Sequence, residues 1–166
     1  MKHLLVVGQG PAGISAAIYA KRGGAAVTVV ANGVGALEKA ERIENYYGFG
    51  EPLTGKELAA QGVEGAKRLG VEFIHGELVG LRFKDTLDGF IAELPTTTLE
   101  AAAVVLAMGT SRLAPPLPGL RELEGHGVSY CAICDAFFYR GKEVAVLGAG
   151  DYALAEAAAL LPHAAK

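Results

Sequence analysis

Cys131 and Cys134 are the two cysteines of this chain, and they stand in the run Cys131-Ala132-Ile133-Cys134-Asp135. A C-x-x-C pair admits three readings: half of a zinc site, a redox dithiol, or two small buried residues. Zinc needs two more ligands, and His3, His75, His126 and His163 are scattered without ligand spacing, so no metal is expected. Free cysteine also behaves as a small hydrophobe, which keeps burial open. The redox reading is favoured, because this spacing lets a small ring close and reopen by thiol–disulfide exchange. Asp135, next to the second sulfur, has the chemistry to shuttle a proton to a leaving thiolate. Its plain alternative is a surface or helix-capping aspartate. Phe137-Phe138-Tyr139 is expected in the core, with no role at the site.

The pair lies between two glycine-rich turns, each behind an apolar run. Gly8-Gln9-Gly10-Pro11-Ala12-Gly13 follows His3 to Val7, and Gly148-Ala149-Gly150-Asp151-Tyr152-Ala153 follows Glu143 to Leu147. In the first turn Gly8 permits a tight reversal and Gly10 lets the backbone approach a pyrophosphate. Gly13 allows close packing of helix on strand, and the helix N-terminus offers free N–H groups to the anion. Pro11 suits a first helical position. The second strand of such a unit is normally followed by an acidic residue that holds the ribose; here the segment reads Ala31-Asn32-Gly33, and Asn32 would bond a hydroxyl without the charge of a carboxylate. A nucleotide fold on each side of a dithiol points to electrons moving from a dinucleotide to a disulfide.

These groups need a scaffold, and the pattern supplies an α/β one. Leu4 to Val7, a helix to Arg22 ended by Gly23-Gly24, and a buried strand Ala26 to Val30 make a βαβ unit. Thr54-Gly55-Lys56-Glu57 has capping-box spacing and opens a helix to Leu69, which Gly70 stops before a strand from Val71 to His75. Short alternating runs between Glu77 and Glu100 predict an antiparallel meander, and Val104 to Ala107 one more buried strand. Pro115, Pro116, Pro118 and Gly119 mark a linker, with a domain boundary near Ser111 to Gly119. Beyond it the pattern predicts strands at Val128 to Tyr130 and Glu143 to Leu147 and a helix from Asp151 to Leu161. One strand–turn–helix cannot cover both faces of its own sheet, so this second domain reads as cut short.

Composition bounds the function. Over 166 residues, 51% hydrophobic and 20% charged residues give a globular balance rather than a disordered one. A net charge of −3 leaves no footprint for nucleic acid, and no apolar run approaches the ~20 residues of a membrane span. The start of the chain carries no charged-then-apolar leader, which leads to an expectation of a cytoplasmic protein whose cysteine pair is catalytic rather than a staple.

The residues from Cys131 through Asp135-Ala136-Phe137-Phe138-Tyr139-Arg140-Gly141-Lys142-Glu143 to Val146 resemble the redox centre of low-molecular-weight thioredoxin reductases, running into their NADPH turn. Gly8 to Gly13 resembles their FAD turn. Ile43 to Phe49 with Thr54 to Leu58 resembles a second flavin-side segment. The resemblance implies a Rossmann-like FAD-binding domain, with parallel sheet and meander, over residues 1–112. It implies a partial NAD(P)H-binding domain with the redox centre over 113–166. FAD and NADPH are the implied cofactors, with NADH as the alternative to the latter, and the implied partner is a thioredoxin-like protein or small disulfide met by a homodimer. Cys134 would take electrons from the flavin, Cys131 would attack the partner disulfide, and Asp135 would donate the proton. Gly8, Gly10, Ala12, Gly13, Asn45 and Gly109 match the flavin side, and Gly148, Gly150, Asp151 and Ala153 the NADPH turn. The chain departs from the family at Val34-Gly35-Ala36, where Gly-Gly-Gln is usual, at Met108 for a threonine and at Tyr152 for a serine. It also lacks the remainder of the pyridine-nucleotide domain and the closing flavin segment. A flavin-dependent dithiol oxidase and a catalytically reduced flavin-binding module are the rival readings.

Overall fold

Aliphatic runs paired in parallel form the centre of the first of two units. A computed structural model describes residues 2–110 and 114–166, and the chain divides into two units, Met1–Arg112 and Leu113–Lys166. The expected boundary begins within residues 111–113, which lie outside the described residues.

In the first unit β1 (His3–Val7), β2 (Ala26–Ala31), β3 (Glu72–His75) and β7 (Ala103–Leu106) make a parallel sheet in the order β3-β2-β1-β7. Helices α1 (Pro11–Arg22) and α2 (Gly55–Arg68) supply the crossovers. Successive strand residues point to opposite faces, so each strand feeds two cores. Val6, Val27 and Val29 pack with Ile14 and Ala17 of α1 and Ala66 of α2. Leu5, Val7 and Val30 pack on the other face with Ala92, Leu94 and Ala101. That second face is covered by an antiparallel sheet of β4 (Gly80–Phe83), β5 (Phe90–Glu93) and β6 (Thr98–Ala101), the expected meander. Thr28, buried on β2, is satisfied by His3, whose Nε2 lies 2.9 Å from its hydroxyl.

The capping box forms as spaced. Glu57 N–H donates to Thr54 Oγ1 at 3.2 Å and Thr54 N–H donates to Glu57 Oε2 at 2.8 Å. The backbone bond from Thr54 holds the Glu57 carboxyl below the usual glutamate range, aided by the Thr54 hydroxyl.

In the second unit α3 (Ala132–Asp135), a 3-10 turn (Ala136–Tyr139) and α4 (Asp151–Leu160) are present, but the two expected strands are not. Val128 makes a single parallel bridge to Glu124, and residues 143–147 belong to no helix or strand. Val144 N–H donates to Lys166 O at 2.9 Å, and just before the run Lys142 O accepts from Ala165 N–H at 2.9 Å. An apolar run becomes a strand only when another extended segment pairs with it. None does so among the described residues of this unit.

Candidate redox and dinucleotide sites

Cys131 and Cys134 are joined as a disulfide with Cα atoms 5.3 Å apart. The single turn α3 brings them together, with Cys131 as its N-cap and its Sγ accepting from Cys134 N–H at 3.3 Å. Cys131 is half-buried and Cys134 exposed, so the pair is not core filling. Sulfurs sharing a bond are not thiolate ligands, and among the described residues no group of three or more His, Cys, Asp or Glu is placed for a metal.

Asp135 is tied to the chain ahead of the pair. Ser129 Oγ donates to Asp135 Oδ2 at 2.5 Å and accepts from Cys131 N–H at 3.1 Å. The aspartate makes no side-chain cap bond to the 3-10 turn that follows it, so the capping alternative does not describe it. Tyr130 donates to Glu124 Oε1 at 2.9 Å, and that bond pushes its phenol above the usual range. The expectation of a buried Phe137-Phe138-Tyr139 is overturned: Phe137 is 63% exposed and Phe138 is exposed, while Ala136 is the buried residue of the turn. At three residues per turn, consecutive side chains point in different directions and cannot share one inward face.

The second glycine turn leads into α4. Gly150 is its N-cap at φ +90°, and Asp151 and Ala153 lie in its first turn. A Cβ on Gly148 would stand 3.1 Å from that of Ala153. Tyr152, in the same first turn, donates its hydroxyl to the Tyr130 carbonyl at 3.1 Å.

In the first unit the parallel register gathers the other residues. Val7 sits opposite Val30 and Leu106, so Gly8, Asn32 and Gly109 follow three neighbouring strands at one sheet edge, the carboxyl edge where α/β folds hold ligands. A Cβ on Gly8 would meet Ala107 O at 2.3 Å, and one on Gly13 would meet Gly8 O at 1.9 Å, so both positions demand glycine for packing. One on Gly10 would meet nothing within 4 Å. α1 starts at Pro11 with Ala12 behind it, without side-chain cap or acidic first turn, which leaves its amides for an anion. Open space over Gly10 beside free amides fits a dinucleotide pyrophosphate. Asn32 is exposed just past β2. Asn45 is not brought to this edge by any strand; it lies exposed in an irregular segment framed by the Ile43–Leu53 bridge. The departing Gly35 and Ala36 open a 3-10 turn, Gly35–Lys39.

The sequence reading missed part of this edge. A cavity of about 200 Å³ is lined by Gln9, Ala31, Lys67, Phe73 and His75 among others. The pairing of Ala31 with His75 brings β3 into the same edge. The signal was the end of the third strand, which no glycine fingerprint marks.

The family model for pyridine nucleotide-disulphide oxidoreductases matches residues 2–166. The chain is 36% identical over 168 residues to the thioredoxin reductase of Bacillus subtilis, covering 98% of this chain and 51% of that protein. It is 41% identical over 159 residues to the bifunctional thioredoxin reductase/thioredoxin of Mycobacterium leprae, covering 93% of this chain and 34% of that one. The crystal structure of thioredoxin reductase from Streptococcus pyogenes superposes with a TM-score of 0.90 at 34% identity, over 98% of this chain and 53% of that one. This chain therefore spans about half the length of the Bacillus subtilis relative. With a matching family model over nearly its whole length and a disulfide where that chemistry requires one, the chain belongs to the pyridine nucleotide-disulphide oxidoreductase family.

Proposed function

We propose that this chain carries the flavin turn and the dithiol of a thioredoxin reductase-like enzyme, in which electrons pass from NADPH through FAD to the Cys131–Cys134 disulfide and on to a thioredoxin-like protein. The observation that carries the reading is the part-exposed disulfide with Asp135 bonded into the same loop. Residues 1–112 hold FAD, with Gly8, Gly10, Pro11, Ala12 and Gly13 at the pyrophosphate, Asn32 and Gly109 at the same sheet edge, and Asn45 contributing from its separate segment. Residues 113–166 hold the nicotinamide nucleotide at Gly148, Gly150, Asp151 and Ala153. Bound FAD supplies a carrier that accepts a hydride from NADPH and releases two electrons to the disulfide.

The chain's own residues account for the rest. Reduced Cys131, as thiolate, attacks one sulfur of the partner disulfide and forms a mixed disulfide, while the other partner sulfur leaves and takes a proton from Asp135. Cys134 then gives its proton to the Asp135 carboxylate and, as thiolate, attacks Cys131 Sγ, which reforms the ring and releases the second partner sulfur as a thiolate that takes a proton from water. The partner gains two electrons and two protons, and the Cys131–Cys134 pair is oxidised. A cytoplasmic location belongs to the same proposal, supported by a cysteine pair suited to exchange rather than to stapling, and so does the homodimer that the family resemblance implies.

The test is the absorption spectrum of the FAD-reconstituted protein under anaerobic NADPH. Bleaching by NADPH is expected, and Gly10→Val, whose methyls would enter the open space over the turn, should lose most of the flavin. Bleaching by a small dithiol but not by NADPH favours the oxidase. Full flavin occupancy in Gly10→Val places the cofactor elsewhere.

A further inference from the structure

Helix α4 grips the redox loop on both sides of Cys131. On one side Tyr152 donates to the Tyr130 carbonyl at 3.1 Å; on the other, Ala132 N–H donates to the Glu156 carboxylate at 2.5 Å. Residues 152 and 156 are four apart and share one face of the helix, so a single face makes both bonds. Glu156 is half-buried, and the amide it holds belongs to the peptide that begins at Cys131. An N–H that would otherwise be free to support a sulfur anion is committed to a carboxylate, and Cys131 Sγ keeps the Cys134 N–H. The other ionisable groups around the loop are Asp135 through Ser129, the phenols of Tyr130 and Tyr152, and Glu124 with Arg121 acting at Tyr130.

We propose that Glu156 is a positioning residue of the dithiol, holding the Cys131–Ala132 peptide and disfavouring the Cys131 thiolate so that the pair stays a reductant. This rests on the reading of Cys131–Cys134 as a redox pair with Cys131 as the attacking thiol. Thiolates stabilised by nearby positive charge or donors make their disulfides more oxidising. A carboxylate held on the adjacent amide, as Glu156 is on Ala132 N–H, acts in the opposite sense.

The test uses the full chain equilibrated in glutathione buffers, where two glutathione thiols give up two electrons and two protons to the Cys131–Cys134 bond and become one glutathione disulfide. Glu156→Gln keeps an oxygen for Ala132 N–H and removes the charge. Its Cys131 pKa, read from the pH profile of alkylation with the modified cysteine identified by mass spectrometry, should fall by about one unit. At about pH 8 the glutathione equilibrium should move about threefold toward the dithiol, about 14 mV for a two-electron couple. Glu156→Asp, which keeps the charge, and Tyr152→Phe, which deletes a neighbouring bond but no charge, should leave the pKa near the parental value. A parental pKa and equilibrium in Glu156→Gln overturns the role of Glu156 while leaving the redox pair intact. A parent that does not exchange with glutathione at all removes the redox reading and this inference with it.

Discussion

Cys131 and Cys134 share a bond but not an environment. Cys131 caps α3, is half-buried and lies between two hydrogen bonds that tie its neighbours Tyr130 and Ala132 to α4, whereas Cys134 is exposed one turn later. The two residues therefore differ in exposure and in hydrogen bonding. With Cys134 as the flavin-side sulfur, reduced Cys131→Ser holding oxidised FAD should show a long-wavelength charge-transfer band, and Cys134→Ser should show none. Visible absorption decides it, and the reverse pattern exchanges the two roles. Ser129 was not singled out in the sequence. A serine two residues ahead of a cysteine has no signature of its own, and only the folded loop puts its hydroxyl on Asp135.

Among the elements, α2 shows a local rule acting alone. Thr54 and Glu57 close both bonds of the box within four residues, so the helix start was readable without knowledge of any partner. Thr54→Ala should cost about 1 kcal/mol, seen as a lower urea midpoint. The Glu57 carboxyl is held below its ordinary range in the folded chain. Its contribution is thus complete above the ordinary glutamate range and is lost as the pH falls through the lower folded value. The gap between parent and Thr54→Ala should accordingly narrow on acidification, which urea melts across the acid range would show. Residues 143–147 teach the converse: β-branched and aliphatic content predicts a strand, yet a ladder requires a neighbour that no local pattern can guarantee.

At the scale of the whole molecule, the two units bury apolar surface unequally. The first has cores on both faces of its sheet, while α4 in the second buries none of its residues. Ile133 is 84% exposed, Leu154 69% and Leu161 79%. Apolar surface of this extent in one small unit favours association. The chain should therefore self-associate through residues after Gly119 as concentration rises, and Leu154→Lys with Leu161→Lys should reduce it. Light scattering across a concentration series checks this, and a monomer throughout would show that the surface is not an interface between copies.

The sequence by itself determined what depends on neighbours within a few residues. The turn Gly8 to Gly13, the capping box at Thr54, the meander between Glu77 and Glu100 and the spacing of Cys131 and Cys134 each arise from local sterics, hydrogen bonding or hydrophobic period. The tertiary structure decided what depends on residues far apart along the chain. Strand register carried Asn32, His75 and Gly109 to one edge with Gly8, and left Asn45 in a separate segment. Helix packing set Glu156 on the amide of Ala132, 24 residues away in sequence, and turned Phe137 outward. Pairing and packing between distant segments are won by the sum of all contacts at once, so no window of residues contains the information that selects them.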